Sequence, residues 1–305
     1  MPQYIQAPPE IFDDGWRHLF VFAHQDDELF YSGIIGRLMR NSKFLWVTNG
    51  DGLAPQFREE PEKYAEKRIR ETDEAMKFLG AQSDQMRCFG YSELEIYGKF
   101  VELTRQPHRK FEIMMYFFKI GCEIYREARD FRPDFVWTLA YQGGHPEHDL
   151  THLLAAYATR QLSAETGKTA ELMELPEYEF TLLIPMRFKP WKKGEAYFVR
   201  ISDEKLARKK KMMEFYPSQF FIFRQFEKVI DSIGKAGKVF GKGFSFADFA
   251  GKETFATVPR DRDYTKSSHC STIFDYMLER HKGTRICFGK TLKVLAEEIR
   301  GRRFV

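Results

Sequence analysis

The chain has 305 residues, 43% of them hydrophobic and 30% charged, a balance that is ordinary for a globular protein of one large domain or two. Its formal net charge of +4 is too small to indicate a nucleic-acid partner. The four cysteines are scattered without a CxxC pair, which excludes a zinc-finger spacing and a dense disulfide framework. No apolar span approaches transmembrane length, and the first residues lack a secretory signal pattern, so we expect a cytoplasmic protein.

The charge is unevenly distributed along the chain. Residues 201–305 carry 22 Lys and Arg against 13 Asp and Glu, whereas residues 1–200 carry 26 against 31. A basic C-terminal part could attract phosphates or an anionic membrane surface. A solvated basic face is the more common outcome of such a bias, and it is our expectation here.

The first elements alternate between strand and helix. Residues 19–23 form a short apolar run rich in Val and Phe, which predicts a buried strand. Residues 29–39 have apolar side chains at helical intervals, and residues 43–48 predict a second strand that ends at a turn signal, NGDG. This β-α-β order predicts a parallel sheet with right-handed crossovers.

The same criteria give the remaining elements. We predict helices over 61–79, 111–128, 149–163 and 203–215, and strands over 85–90, 135–140, 178–184 and 196–201. Residues 1–16 and the Gly- and Lys-rich segment 232–252 read as irregular. Residues 271–305 show two helical patterns on either side of residues 281–283.

Two polar clusters directly follow predicted strands. HQDDE begins at His24, after the first strand, and HPEH begins at His145, after the strand over 135–140. Imidazole and carboxylate groups are good ligands for Zn²⁺, and a catalytic zinc site commonly has three protein ligands and one open position. Two strand-end loops of a parallel sheet can converge on one point if the strands are neighbours. The clusters therefore predict one metal site, beside which a further carboxylate could act as general base.

Each cluster alone also has a simpler interpretation. An aspartate before a helix is a good N-cap, and a lone HPEH could be a surface loop with chance histidines. The occurrence of both clusters at predicted strand ends favours the metal site.

The motifs resemble those of a known enzyme family. AHQDDE followed by GGHPEH resembles the zinc-dependent N-deacetylase family that includes N-acetylglucosaminyl-phosphatidylinositol deacetylase and LmbE-like proteins. The family's helix motif R-x-x-E-x-x-x-A-x-x-x-L-G fits the segment from Arg68 to Gly80, and YPSQ from Tyr216 and ETF from Glu253 resemble two later segments. The resemblance implies a Rossmann-like α/β fold, with a mostly parallel sheet flanked by helices and the metal at the carboxyl ends of the strands.

The resemblance also implies roles for the residues of the two clusters. His24, Asp27 and His148 would bind one Zn²⁺ ion. Asp26 would be the general base that deprotonates a metal-bound water, which acts as the nucleophile. His145 would assist the tetrahedral intermediate as a cation or proton donor.

Three further residues are candidate substrate-binding groups. Arg68 resembles a family residue that contacts substrate; the alternative is an exposed pair with Glu71, worth under ~1 kcal/mol. Asn49 and Asp51 could line the same cleft or form a plain turn. Glu28 either orients a ligand histidine or caps the next helix, and both alternatives stay open.

The chain departs from the family pattern at three positions. Gln25 replaces the usual proline, and Glu147 replaces the usual aspartate of the second motif. Neither is an assigned ligand, so we expect the metal site to survive both changes. Gly143 stands where some members have a mobile tyrosine, which affects the expectation for substrate positioning.

The resulting hypothesis is a hydrolase that removes an N-acyl group, above all acetyl, from an amino-sugar-containing substrate. This partner would be a small molecule or a glycoconjugate. Phosphorylated, nucleotide-linked and lipid-linked forms stay open, the last with peripheral membrane contact, and a homo-oligomer is a further alternative. One rival is a zinc-dependent C–N hydrolase acting on a non-acetyl amide or a non-sugar amine. Another is a non-catalytic carbohydrate- or membrane-binding module, against which Asp26 counts because it serves the reaction.

The predicted organisation has two parts. Residues 1–256 would form the deacetylase domain. Residues 257–305 would form a basic, helical C-terminal extension whose role the sequence does not indicate.

Overall fold

Eight strands form one sheet in this computed structural model, which describes residues 2–176, 178–179, 184–189, 192, 194–238, 245–268 and 275–305. The strands are β1 Gln3–Gln6, β2 His18–Phe22, β3 Ser42–Thr48, β4 Met86–Tyr91, β5 Phe135–Leu139, β6 Glu171–Leu175, β7 Glu195–Arg200 and β8 Lys252–Thr257. Their order across the sheet is β1-β7-β8-β6-β5-β2-β3-β4. Strand β8 is antiparallel to β6 and β7, and the other neighbouring pairs of this sheet are parallel. The predicted α/β class with a mostly parallel sheet is confirmed.

Helices cover both faces of this sheet. They are α1 Ser32–Leu38, α2 Ala54–Phe57, α3 Pro61–Leu79, α4 Glu93–Arg105, α5 Lys110–Phe131, α6 Pro146–Thr166, α7 Asp203–Met212, α8 Phe220–Lys238, α9 Phe246–Ala250 and α10 Leu292–Ile299. Two small antiparallel pairs stand apart from the main sheet, Tyr178–Glu179 with Ile184–Pro185 and Arg280–His281 with Thr284–Arg285. Among the described residues, no helix combines the length and the apolar character that crossing a bilayer requires.

Strand β2 shows why the sheet is buried on both faces. Its five residues, HLFVF, are all buried. Because successive side chains of a strand point to opposite faces, Leu19 and Val21 join one apolar cluster, with α5 and α6, whereas Phe20 and Phe22 join another, with α1 and α3. A continuous apolar run is typical of a parallel strand that helices cover on both sides.

The strand order reverses between β2 and β5. From β2 the chain proceeds outward to β3 and β4, and it then returns to the other side of β2 to form β5 and β6. In open α/β sheets, ligands bind outside the carboxyl ends of the strands at such a reversal. The two polar clusters follow β2 and β5, so the fold places both of them at this point.

Several predicted elements are confirmed and others are wrong. The helix over 61–79 has the predicted bounds, Pro61–Leu79, and ends at Gly80, whose φ is +111°. The helix over 29–39 instead begins as the 3-10 turn Asp27–Tyr31, before α1. Residues 1–16 are not wholly irregular, since they contain β1. Strands β6 and β8 and helix α4 were not predicted.

Two predicted segments fall partly outside the described residues. The supposed loop over 232–252 contains the end of α8 and all of α9, so the prediction is wrong there, and residues 239–244 lie outside the described part. Of the strand predicted over 178–184, residues 180–183 lie outside it.

The C-terminal extension packs against the α/β core. Within the described residues 275–305, one α-helix is present, α10. Where the first helical pattern was expected, the 3-10 helix Asp275–Leu278 is present, and the small antiparallel pair follows it around residues 281–283. Tyr264, Leu295 and Phe304 are buried in the same apolar cluster as α5 and α6. The domain boundary at residues 256–257 stays a prediction.

Candidate metal centre and active site

Three side chains meet at the carboxyl ends of β2 and β5. Nδ1 of His24 lies 2.9 Å from Nε2 of His148 and 3.7 Å from Oδ1 of Asp27, and the last two atoms are 3.3 Å apart. Ligand atoms around a tetrahedral ion, at bonds of about 2.0–2.2 Å, are separated by roughly 3.3–3.6 Å. The three distances bracket this range. The triad could therefore hold one ion, and catalytic zinc sites with three protein ligands commonly keep a further position for water.

Asp27 is fixed by the backbone of its own turn. Its Oδ2 accepts hydrogen bonds from the N–H groups of Ala23, at 2.9 Å, and of His24, at 2.8 Å. This leaves Oδ1 to face the two imidazoles. Burial alone would raise the pKa of Asp27, but His148 and His24 hold this pKa well below its usual range. The carboxyl group is therefore ionised, as a metal ligand must be.

His148 reaches the triad because β2 and β5 are adjacent and parallel, with His18 opposite Phe135 and Val21 opposite Thr138. Helix α6 begins at Pro146, one position after His145, and Pro at the first helical position is favourable. His148 consequently lies in the first turn of α6 and points back towards the end of β2.

Asp26 occupies an unusual backbone conformation beside the triad. Its φ is +118°, in the left-handed region, where a non-glycine residue costs about 1–3 kcal/mol and often marks a functional site. Its Oδ2 lies 3.1 Å from Nη2 of Arg68. Burial raises the pKa of Asp26 to about 7, although Arg68 lowers it. A carboxyl group with such a pKa can accept and return a proton near neutral pH.

Arg68 is part of the centre rather than of the surface. It is only 3% exposed, so the interpretation as an exposed pair with Glu71 is wrong. Its guanidinium donates to the carbonyl of Gln25 and lies between Asp26 and Glu71, whose Oε2 is 3.6 Å from Nη1. The YPSQ segment docks here, since Ser218 donates its backbone N–H to Oε1 of Glu71 at 3.0 Å.

The structure gives Asn49 and Asp51 local bonds. Oδ1 of Asn49 accepts from the backbone N–H of Asp51 at 3.1 Å, an Asx turn. Oδ1 of Asp51 accepts from the N–H of Glu93 at 2.7 Å, and Oδ2 accepts from the hydroxyl of Ser92 at 2.5 Å, at the start of α4. These bonds explain both residues structurally, and their role in substrate binding stays a prediction.

Glu28 follows neither of its two predicted alternatives. Its carboxylate accepts from Nε1 of Trp46, at 3.0 Å, and from the hydroxyl of Tyr216. It also accepts from the backbone N–H of Asp26 at 3.2 Å. Glu28 therefore ties the turn of Asp26 to β3 and to the YPSQ segment.

His145 stands beside the triad at the open side of the site. Its ring centroid is 5.2 Å from that of His148 and 6.0 Å from that of His24, and its side chain is 27% exposed. Burial lowers the pKa of His145 well below its usual value, and the two neighbouring imidazoles lower it further. Nδ1 lies 3.9 Å from Oε2 of Glu279, a residue of the C-terminal extension.

Three acidic residues of the site were not predicted as site residues. Glu93 places Oε2 at 3.9 Å from Nε2 of His24, and His24, Glu93 and Glu147 form a second group close enough to hold a cation. Ser92, which caps α4 by accepting from the N–H of Glu95, is the sequence signal that could have located Glu93. Glu279 has no such signal, because it reaches the site only through tertiary packing.

Comparison with known proteins supports this description. Residues 19–159 match the family model described as PIG-L: GlcNAc-PI de-N-acetylase. A search of curated proteins gives no match.

Several solved structures share the fold. A deacetylase from the biosynthesis pathway of teicoplanin is 19% identical with a TM-score of 0.57, over 81% of this chain and 99% of that chain. The A40926 pseudoaglycone deacetylase Dbv21 is 15% identical with a TM-score of 0.53, over 82% and 100%. The N,N'-diacetylchitobiose deacetylase from Pyrococcus horikoshii is 20% identical with a TM-score of 0.50, over 83% and 90%. At these identities the likeness shows the fold alone.

The family match spans both polar clusters and the helix motif of α3. It confirms the resemblance that the sequence motifs indicated. Over residues 19–159, this chain is therefore similar to the PIG-L family of N-deacetylases.

Proposed function

We propose that this chain is a zinc-dependent hydrolase that removes the N-acetyl group from an amino-sugar-containing substrate. The observation that carries the proposal is the triad of His24, Asp27 and His148 at ligand spacing, with the carboxyl group of Asp26 on the same turn. The amino-sugar substrate is supported by the family description, which names a GlcNAc-bearing lipid, and by the structurally similar deacetylase that is named for diacetylchitobiose.

The donor set suits zinc. Two imidazole nitrogens and one carboxylate oxygen are ligands of catalytic zinc sites, which keep a position open. A bound Zn²⁺ would supply Lewis acidity towards a water and towards the amide carbonyl. Oδ2 of Asp27 is held by two backbone N–H groups, so the chain orients its carboxylate ligand before any ion arrives.

Asp26 is proposed as the general base. Its carboxyl group takes a proton from the attacking water, and the guanidinium of Arg68, at 3.1 Å, fixes its direction and stabilises its charged form. The same carboxyl group can then return a proton to the leaving amine. Because Arg68 is buried, its role here is positioning, and contact with substrate stays a prediction.

His145 is proposed as the hydrogen-bond donor to the developing oxyanion. It lies at the exposed side of the triad, where the acyl carbonyl would enter, and it is not needed as a ligand. The proposal includes a single zinc ion and a cytoplasmic location, and a homo-oligomer stays an alternative.

Acetate release tests the function directly. Purified, zinc-loaded protein should release acetate from N-acetylglucosamine compounds, chelation should abolish the release, and added zinc should restore it. Comparing acetyl, propionyl and benzoyl groups on one glucosamine scaffold, and acetyl groups on non-sugar amines, separates the proposal from the broader amidase. If no N-acetyl amino sugar yields acetate while other amides are hydrolysed, the sugar-deacetylase proposal is wrong. If zinc-loaded protein binds sugars and hydrolyses no amide, the non-catalytic alternative holds.

A further inference from the structure

The C-terminal extension contributes one side chain to the candidate active site. Glu279 directly follows the 3-10 helix Asp275–Leu278 and precedes the small antiparallel pair of residues 280–285. Its carboxyl group lies beside His145, the first residue of HPEH, although the two residues are far apart in the sequence. The extension lies outside the residues that match the family model, 19–159, and its sequence indicates no role. The contact with His145 indicates a role at the active site.

The backbone of Glu279 is held on both sides. Its N–H donates to the carbonyl of Tyr276 at 2.9 Å, and its own carbonyl accepts from the N–H of Ile286, also at 2.9 Å. Oδ2 of Asp275 accepts from the N–H of Phe288 at 2.7 Å, which closes the segment at its two ends. Phe288 is buried in the apolar cluster of α5 and α6. The segment 275–288 is therefore fixed to the core, and the position of Glu279 is fixed with it.

The same segment is bonded to the loop that leads to His145. The hydroxyl of the buried Tyr276 donates to Oδ2 of Asp149 at 2.9 Å. Oδ1 of Asp149 accepts from the backbone N–H of Gly143 at 3.2 Å. Asp149 is itself buried and directly follows the candidate ligand His148. One carboxyl group therefore joins the extension, the loop before His145 and the first turn of α6, and it keeps their relative positions constant.

The side chain of Glu279 is oriented by a tyrosine on α4. Oε1 of Glu279 accepts a hydrogen bond from the hydroxyl of Tyr97, and Oε2 lies 3.9 Å from Nδ1 of His145. This separation is longer than a hydrogen bond, but such contacts in ligand-free active sites commonly shorten when substrate binds. The side chains of Glu279 and His145 are both partly exposed, so a substrate can reach this pair. The geometry therefore directs one oxygen of Glu279 to one nitrogen of His145.

A carboxyl group at Nδ1 determines what the other ring nitrogen can do. A neutral imidazole carries hydrogen on only one nitrogen, and a donor to the oxyanion needs it at Nε2. Burial raises the pKa of Glu279 to about 7, so its carboxyl group retains a proton in many molecules near neutral pH. A protonated carboxyl group donates to Nδ1 and thereby keeps the hydrogen of the neutral ring at Nε2.

We propose that Glu279 is a positioning residue for His145: its carboxyl group holds Nδ1 of the imidazole, so that Nε2–H donates to the oxyanion of the substrate. The proposal rests on the proposed function, because this oxyanion forms only if an amide is hydrolysed. The hydroxyl of Tyr97 and the fixed segment 275–288 hold the carboxyl group in place. The C-terminal extension thereby completes the active site.

Kinetics of the zinc-loaded, full-length protein test whether Glu279 acts through His145. Glu279→Ala should lower kcat for acetate release from N-acetylglucosamine compounds by about tenfold to a hundredfold, with a smaller change in KM, since a small misplacement of a catalytic group can cost about 10²-fold. Glu279→Gln should retain more activity than Glu279→Ala, because its amide N–H can still donate to Nδ1. In a His145→Ala background, Glu279→Ala should have little further effect. Glu297→Ala removes the same side chain from an exposed position on α10 and should leave kcat unchanged.

The ring nitrogens of His145 provide a measurement that needs no turnover. Long-range proton–nitrogen NMR spectra of the zinc-loaded protein distinguish protonated from unprotonated ring nitrogens, and His145→Ala identifies the signals of this residue. Nε2 should carry the hydrogen in the wild type, in Glu279→Gln and in Glu297→Ala, whereas Glu279→Ala should move hydrogen towards Nδ1. If Glu279→Ala is not folded by circular dichroism, Glu279→Asp, which withdraws the carboxyl group by one methylene, replaces it in both measurements.

Two results would overturn the proposal. One is an unchanged spectrum of His145 in the folded Glu279 variant. The other is an equal decrease in kcat with and without the imidazole of His145, which would show a structural role for Glu279. If the wild type releases no acetate, the deacetylase function is wrong, and the spectra still decide whether Glu279 holds the ring of His145.

Discussion

The substitution Asp26→Asn separates catalysis from metal binding. Asp26 lies between the two candidate ligands His24 and Asp27 in the chain, and its side chain pairs with Arg68 at 3.1 Å. Asparagine has nearly the same shape and retains an acceptor oxygen for Arg68, but it cannot take a proton from water. We therefore expect a folded, metal-loaded protein with little activity.

The size of the loss follows from the role of the group. A positioned general base contributes about 10²–10⁴-fold to the rate, which corresponds to roughly 2.7–5.4 kcal/mol of activation free energy. The pKa of Asp26, raised by burial to about 7, places the group where proton transfer is efficient near neutral pH. We expect the decrease in kcat of Asp26→Asn to fall in this range, with a smaller change in KM.

The assay measures acetate release and zinc content on the same samples. Asp27→Asn is the matched control, because it changes the neighbouring carboxylate whose Oδ1 lies 3.3 Å from His148, and it should lower zinc affinity as well as activity. An Asp26→Asn protein that keeps more than about a tenth of the wild-type kcat would refute the assignment of Asp26 as base. An Asp26→Asn protein that loses its zinc would show instead that Asp26 is a ligand.

Three further predictions concern stability. Gly50→Ala should lower the free energy of unfolding, measured by urea titration, by about 1–3 kcal/mol, because φ is +79° and a Cβ would lie 2.6 Å from Oε1 of Gln25. Gly36→Ala is the control: a Cβ there would have nothing within 4 Å, so this change should be neutral or stabilising. Glu253→Gln should lower the free energy of unfolding by about 3 kcal/mol in the same titration, because it removes the carboxylate that lies 2.5 Å from Nζ of the buried Lys209. A decrease below about 1 kcal/mol would contradict this prediction. Burial lowers the pKa of His152 to about 3. The imidazole of His152 is therefore protonated near pH 6.5 in the unfolded state but stays neutral at that pH in the folded state. Stability should consequently fall by about 1.4 kcal/mol per pH unit from this group as the pH decreases below 6.5, and His152→Gln should show a shallower dependence.

Local sequence signals predicted the elements whose own residues determine where they begin and end. Helix α3 begins at Pro61 and ends at Gly80, and both residues act through their own backbone preferences. Strand β2 is an apolar run long enough for one buried strand. These signals need no knowledge of the rest of the chain, so the sequence is sufficient for them.

Elements whose stability comes from distant partners were missed. Strand β6, ELMEL, contains a charge at Glu174 that would be unfavourable in a core, and it is buried because Arg262 and Lys192 neutralise it from other segments. Strand β8 contains Glu253, which accepts from the N–H group of Gly33 at 2.8 Å and thereby caps α1. A local pattern cannot show such compensation, since the compensating residues lie far away in sequence.

The candidate site also combines residues that the sequence reveals with residues that only tertiary packing brings together. The clusters beginning at His24 and His145 could be found in the sequence because each places several ligand types at a strand end. The two clusters meet only if β2 and β5 are neighbours, and the sequence does not show this. In the structure the two strands are paired in parallel, so the condition is met. Glu279 enters from the C-terminal extension, and no motif near it indicates a position 3.9 Å from His145.

The two adjacent aspartates of HQDDE, Asp26 and Asp27, have different roles that their positions in the sequence do not reveal. Asp27 is buried and Asp26 is half-buried on the same turn, yet their pKa values are displaced in opposite directions. Asp27 accepts from two backbone N–H groups and faces two imidazoles, so its charged form is favoured. The left-handed conformation of Asp26 turns its side chain towards a single guanidinium, and there burial outweighs the attraction. A permanently ionised group suits a ligand and a group that titrates near neutrality suits a base, so the backbone turn, more than residue type, assigns the two roles.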